Sequence, residues 1–217
     1  MEKRYWGPDE YDKAIFTIRY KTPKGQRLPE FSDPETSAVL KKLFDPQNFI
    51  VTLSDENLGL SHRNNVAEEY FKEIRDLPKA YSAMDREDKF IYGMELIESY
   101  KFLLHLELYY FDLGNQNIIK NSDDPNSTEV KRLLSSNVRT LYKNFNNYLD
   151  YVNNESSFSE DELISYSEGL KKYFPMLIEK FPEGNKSIIT SKAELMLNKA
   201  QNEQLKEALN FAIATFK

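Results

Sequence analysis

The chain has 217 residues, 29 basic against 35 acidic, a net charge of −6 and no cysteine. The missing thiols remove disulfides, thiolate metal sites, iron–sulfur clusters and cysteine nucleophiles. The scattered charge argues against nucleic acid, whose binders cluster Lys and Arg to displace counterions from phosphates.

With 14 Tyr and 14 Phe the chain is too aromatic to be disordered, and its length suits one large domain or two small ones. No run of 18 apolar residues is present, so membrane insertion is not expected. The opening MEKRYWGPDE lacks the apolar core of a signal peptide, which points to the cytoplasm. A mature periplasmic protein whose leader has been removed is the alternative. Usage heavy in Asn, Lys, Ile, Phe and Tyr is that of bacterial genomes rich in A and T, an association only.

In chain order, GPDEYDKAIFTIRY starts with proline and acids and predicts a helix, although its Ile-Phe-Thr-Ile centre could equally be a strand. KTPKGQRLPEFSDPE reads as a loop. Asp33 followed by Pro34 predicts an N-cap and a short helix to Phe44. DPQNFIVTLSDENLGLSHRN gives no clear period and reads as irregular. Residues 1–60 are therefore expected to form a less regular layer on a helical domain of residues 61–217.

From there the helical signal strengthens. Arg63–Leu77 should be one helix ended by Pro78. Asp85, with Asp88 three residues on, is a candidate cap for a helix running to Leu113 and stopped by Gly114-Asn115. NSDDPNSTE is a loop ending in a cap at Ser127 or Thr128. Val130, Leu134, Val138, Leu141, Phe145, Tyr148 and Val152 follow at steps of three and four, the stripe of a long amphipathic helix. Ser159 and Glu162 form a capping box, with Phe158 placed against Leu163. The next stripe is Leu163, Tyr166, Leu170, Phe174, Leu177 and Phe181, with Pro175 expected to kink or split the helix. One or two last helices should bury Leu205, Leu209, Ala212, Ile213 and Phe216.

Short connections between such segments make antiparallel neighbours. The expected fold is all-α, an irregular antiparallel helical bundle or array of six to eight helices. A helical repeat finds no support, because YSEGLKKYFPMLIEKFPEG has no second copy.

Two polar residues stand in the oily run KFLLHLELYYFDLGN. On a helical wheel His105 shares a sector with Glu95, Glu98, Ser99, Lys101 and Asp112, which places it at the edge of a solvated stripe. Glu107 falls among Leu96, Tyr100, Leu103, Leu104, Tyr110 and Phe111. A carboxylate there needs a cation, hydroxyl donors, a cavity or a proton. It is either a core glutamate satisfied by a group such as Arg139 or tyrosine hydroxyls, or the wall of a pocket including Tyr100 and Tyr110. His62 and Arg63, after a glycine at a helix entry, could hold an anion, though a solvated helix start explains them as well.

No phosphate loop, dinucleotide fingerprint, nucleophile elbow or zinc motif occurs. Neither histidine has a glutamate three residues before it, so a di-iron bundle is excluded. SDDPNSTE lacks calcium-loop spacing. No catalytic residue, metal or cofactor is assigned. The functional expectation is a non-enzymatic interaction protein, of inhibitor, immunity or scaffold type, binding another protein. The charge permits a basic partner and disfavours an acidic one. A small-molecule binder or enzyme with an inter-helical pocket at Glu107 is the alternative.

Overall fold

The computed structural model describes residues 5–84 and 91–217. Among them are ten α-helices, two short 3₁₀ turns and no strand, so the protein is an all-α helical array, with more helices than sequence periodicity suggests. It divides into two compact units, Met1–Leu113 and Gly114–Lys217.

The first unit begins with α1 (Pro8–Lys21), which has Pro8 at its first position and Asp9 and Glu10 in its first turn. There they face the positive end of the helix dipole. The helical alternative thus wins over the strand for IFTI, burying Tyr11, Ile15 and Ile18 at helical spacing. A 3₁₀ turn, Thr22–Lys24, ends at Gly25 in the left-handed region, φ 61°, which glycine enters without a steric penalty.

Next comes α2 (Pro34–Leu43), capped as expected by Asp33, whose side chain accepts from the Glu35 amide. The stretch read as irregular contains α3 (Gln47–Leu53). Its seven residues are too few to display a period, and burial of Asn48, Phe49 and Leu53 supplies the stability that local propensity lacks. Residues 5–60 are therefore largely helical.

The single helix expected at Arg63–Leu77 is two: α4 (Leu60–Ile74) and α5 (Leu77–Ser82). Pro78 does not terminate a helix but sits in the first turn of α5, where its missing N–H costs nothing. The proposed Asp85 and Asp88 cap lies outside the described residues.

Then α6 (Gly93–Lys120) runs on past the expected stop at Gly114-Asn115. Asn121 is where it ends, its side-chain amide donating to the Asn117 carbonyl at 2.9 Å. A glycine inside a helix costs only about 1 kcal/mol, too little to stop one that packing supports. The aromatic centre of the first unit is Phe102 of α6, ringed by Tyr11 (5.7 Å, stacked), Phe44 (6.2 Å) and Phe49 (5.2 Å, edge-on).

The second unit holds α7 (Thr128–Tyr151), α8 (Glu160–Lys180), α9 (Lys186–Leu197) and α10 (Glu203–Phe216). Ser127 caps α7 by accepting from Val130 N, and Ser159 with Glu162 forms the expected box on α8. Every residue of the predicted α8 stripe is buried, as is every residue of the α7 stripe except the half-buried Leu134.

Pro175 does not split α8, which is continuous through it. The one backbone bond it removes falls on Lys171, an exposed residue whose carbonyl water can serve. Helix α10 packs against both α8 and α9, and α9 also against α7. Reciprocal bonds join α7 to α8: Tyr148 donates to the Tyr166 carbonyl and Tyr166 to the Leu149 carbonyl, both at 2.9 Å. The two rings stack at 4.9 Å.

Candidate functional site

In α6 several polar residues of the expected solvated stripe, Glu95, Ser99 and His105, are buried. His105 is 4% exposed, its ring edge-on to Phe49 at 5.2 Å and tilted against Tyr109 at 5.8 Å. The expectation that His105 lies at the edge of a solvated stripe is overturned, because Phe49 of α3 covers it, while Glu98, Lys101 and Asp112 of the same sector stay partly exposed. Ser99 is fully buried and donates to the Leu96 carbonyl at 2.8 Å. Glu95, 5% exposed, accepts from the Phe31 amide at 2.6 Å.

Together with Tyr92, which accepts from Leu28 N (2.9 Å), and Tyr81, which donates to the Pro29 carbonyl (3.0 Å), Glu95 pins the loop before α2. That loop supplies backbone donors and acceptors that a single helix cannot satisfy. Glu95, Tyr92 and Tyr81 are structural ligands of the backbone.

Glu107 is 2% exposed, on the apolar side where the wheel places it. Tyr110 stacks on Phe71 of α4 at 4.5 Å with 7° between planes. Burial raises the Tyr110 phenol, the negative charges of Glu68 and Glu107 push the same way, and Arg75 opposes them. Two of the sequence candidates, Glu107 and Tyr110, are thus electrostatic neighbours. Tyr100 is half-buried, and burial raises its phenol too. Arg139 belongs to the second unit and is exposed.

At the start of α4, His62 is exposed. Arg63 has a structural role. Its Nη1 donates to the Leu53 carbonyl at 3.2 Å, serving the last turn of α3, whose carbonyls lack helical partners. A guanidinium so engaged has fewer donors left for an anion.

Sequence reasoning missed Asn48. It is 1% exposed and is the polar hub of the first unit. Its Oδ1 accepts from Trp6 N at 2.9 Å, and its Nδ2 donates to the Tyr11 hydroxyl (2.9 Å) and the Lys42 carbonyl (2.7 Å). Tyr11 in turn donates to the Leu43 carbonyl. The Tyr70 hydroxyl donates to the Trp6 carbonyl at 2.6 Å and lies 2.8 Å from the Asn48 carbonyl. Burial raises the phenols of Tyr11 and Tyr70. The only signal was an asparagine beside an aromatic in a short apolar run, and that is common in chains of this composition.

The exposed face of α1 is different. Phe16 and Tyr20 are 63% and 54% exposed and stack at 6.2 Å with 19° between planes. The Lys24 ammonium caps the outer ring, 3.3 Å from the Tyr20 centroid, a cation–π contact. Positions i, i+4 and i+8 build this column, and Asp9, Asp12 and Lys13, also exposed, share the face. Aromatic side chains turned outward on a helix with a complete apolar face of its own are not needed for folding.

Among the described residues no cluster of three or more His, Asp or Glu is arranged to hold a metal ion, and no helix is long and apolar enough to cross a membrane. No protein-family model, no curated protein and no solved structure matches the chain.

Proposed function

We propose that the protein is a non-enzymatic helical interaction protein, of inhibitor or scaffold type, whose first unit binds another protein through the outer face of α1. The observation that carries this reading is the Phe16–Tyr20 stack, a large aromatic surface left in water. Aromatic anchors with a polar surround are the usual composition of interface hot spots. The partner is expected to be basic. The first unit carries 21 acidic against 16 basic residues; beside the stack itself both signs are present, Asp9 and Asp12 with Lys13 and Lys24.

Supporting the non-enzymatic part, the buried tyrosine hydroxyls of Tyr11, Tyr81, Tyr142, Tyr148 and Tyr166 each donate to a backbone carbonyl. They are employed in holding the fold.

The test is affinity capture at low ionic strength with wild type and a Phe16→Ala/Tyr20→Ala variant. Both side chains are exposed, so the variant should fold with stability changed by no more than about 0.5 kcal/mol per site. A basic protein retained by wild type, released by salt and lost from the variant is the expected result. Equal retention by both proteins, or no partner at low salt, refutes the reading.

A second reading rests on Glu107, a carboxylate buried beside the Tyr110 phenol, as the wall of a small-molecule pocket. It requires that Glu107→Gln, close to isosteric, abolish a thermal shift produced by a cationic small molecule. A shift of unchanged size in the variant removes it.

A further inference from the structure

The negative charge is unevenly distributed. The second unit holds 13 basic and 14 acidic residues, close to neutral, and within it α7 is distinctive. Between Glu129 and Asp150 the chain has no acidic residue, while Lys131, Arg132, Arg139 and Lys143 all lie there and are exposed. Arg132 is held by Glu129, at 2.8 Å. Lys131 and Arg139, two turns apart on one side of α7, stand instead on the wall of a groove of about 860 Å³ between α7 and the turn joining α8 to α9.

The groove has an apolar floor of Leu134, Val138 and Tyr142. Ile188 is 37% exposed and forms its far rim. One acid, Glu183, stands at the α8–α9 turn.

The shape of this groove is maintained from below. Tyr142 donates to the Phe181 carbonyl at 2.9 Å, and its ring lies so close to Gly184 that a Cβ there would come within 1.9 Å of Cε2. The wall made by the turn is therefore locked to the floor. It presents a fixed concave surface, so binding would not have to bear the entropy of ordering it.

We propose that this groove is a docking site for an acidic amphipathic peptide segment of another protein, most simply a helix laid along α7. Its apolar side chains would cover Leu134, Val138 and Ile188, and its carboxylates would meet Lys131 and Arg139. Charge complementarity selects the occupant. Two cations spaced two turns apart beside an apolar strip match acids repeating at helical spacing, and Glu183 favours a segment that is less acidic, or basic, at the end reaching the turn. This goes beyond the α1 reading, uses a different surface and attracts the opposite charge. The charge of the whole chain disfavours acidic partners in the sequence reading; the local charge of α7 has the opposite sign.

The experiment is fluorescence anisotropy at low salt with full-length protein and a labelled 16-residue amphipathic peptide bearing leucines on one face and glutamates beside them. A lysine version of the same pattern, a scrambled glutamate version and a single-stranded oligonucleotide are the comparison probes. Saturable binding of the glutamate peptide alone is expected. Lys131→Glu/Arg139→Glu should weaken it by about tenfold or more, and Ile188→Ser by a smaller factor. The Phe16→Ala/Tyr20→Ala variant should bind the peptide like wild type, which separates this site from the α1 face.

The substituted positions in these variants are exposed, and unchanged circular dichroism melts will show that the variants fold. Equal affinity for lysine and glutamate peptides, or glutamate-peptide binding untouched by the charge reversals, overturns the proposal. So does binding of the oligonucleotide in place of the peptide.

Discussion

Gly184 and Tyr142 make the sharpest case at the scale of single residues. The glycine is required for close approach, not for backbone conformation, because a methyl group would overlap the tyrosine ring. Gly184→Ala should destabilise the protein by about 2–3 kcal/mol, as overpacking does, read as a lowered melting temperature. Tyr142→Leu in the same chain should recover part of that loss, since the two effects share one contact and cannot be additive. A fully additive double variant would show that the clash is relieved elsewhere. Tyr142→Phe alone removes one of the two donors to the Phe181 carbonyl, leaving Gly184 N at 3.2 Å, and should cost about 1 kcal/mol. In the first unit Asn48→Ala should be worse than any surface change, because it removes the side-chain acceptor of Trp6 N and the side-chain donor to both the Tyr11 hydroxyl and the Lys42 carbonyl.

Caps and stripes govern the elements. Ser159→Ala removes the side-chain half of the α8 capping box and should cost about 1 kcal/mol, measured by urea unfolding; an unchanged midpoint would mean that tertiary contacts alone hold the first turn. Asn202, which accepts from Leu205 N at 3.0 Å, caps α10 in the same way. Helices with strong local signals, α2, α7 and α8, were legible to within a residue at their starts, because Asp33, Ser127 and Ser159 act on amides two or three residues away. Elements that lack such signals were misread. For α3 the chain is too short to show a period. For α4 and α5 a proline in a first turn resembles a proline that breaks a helix. For the end of α6, an interior glycine resembles a terminal one.

At the scale of the whole molecule, the buried tyrosines couple stability to alkaline pH. Burial raises the phenols of Tyr11, Tyr70, Tyr81 and Tyr166, and pushes Tyr142, with help from Glu183, up to about 12. An unfolded tyrosine titrates near pH 10. Each folded phenol binds its proton more tightly than the unfolded one, so its contribution is complete below about pH 10 and is lost as pH climbs toward the folded value. Absorbance titration should show the buried tyrosines ionising in a cooperative step that coincides with loss of helical circular dichroism between about pH 10 and 12. A single smooth titration with the helix intact would contradict the burial.

The sequence alone determined the helical class, the placement of the strongest caps and the buried faces of α7, α8 and α10. These depend on interactions within a few residues, which a linear pattern records. It also placed Glu107 on an apolar side. Only tertiary structure decided that His105, Ser99 and Glu95 are buried, since the polar side of a helix becomes interior when another segment covers it, and no wheel contains that neighbour. The Asn48 hub, the contact of Tyr142 with Gly184 and the basic groove on α7 join residues far apart in the chain, 42 positions in the case of Trp6 and Asn48. Their chemistry exists only because folding brings them within a few ångströms of one another.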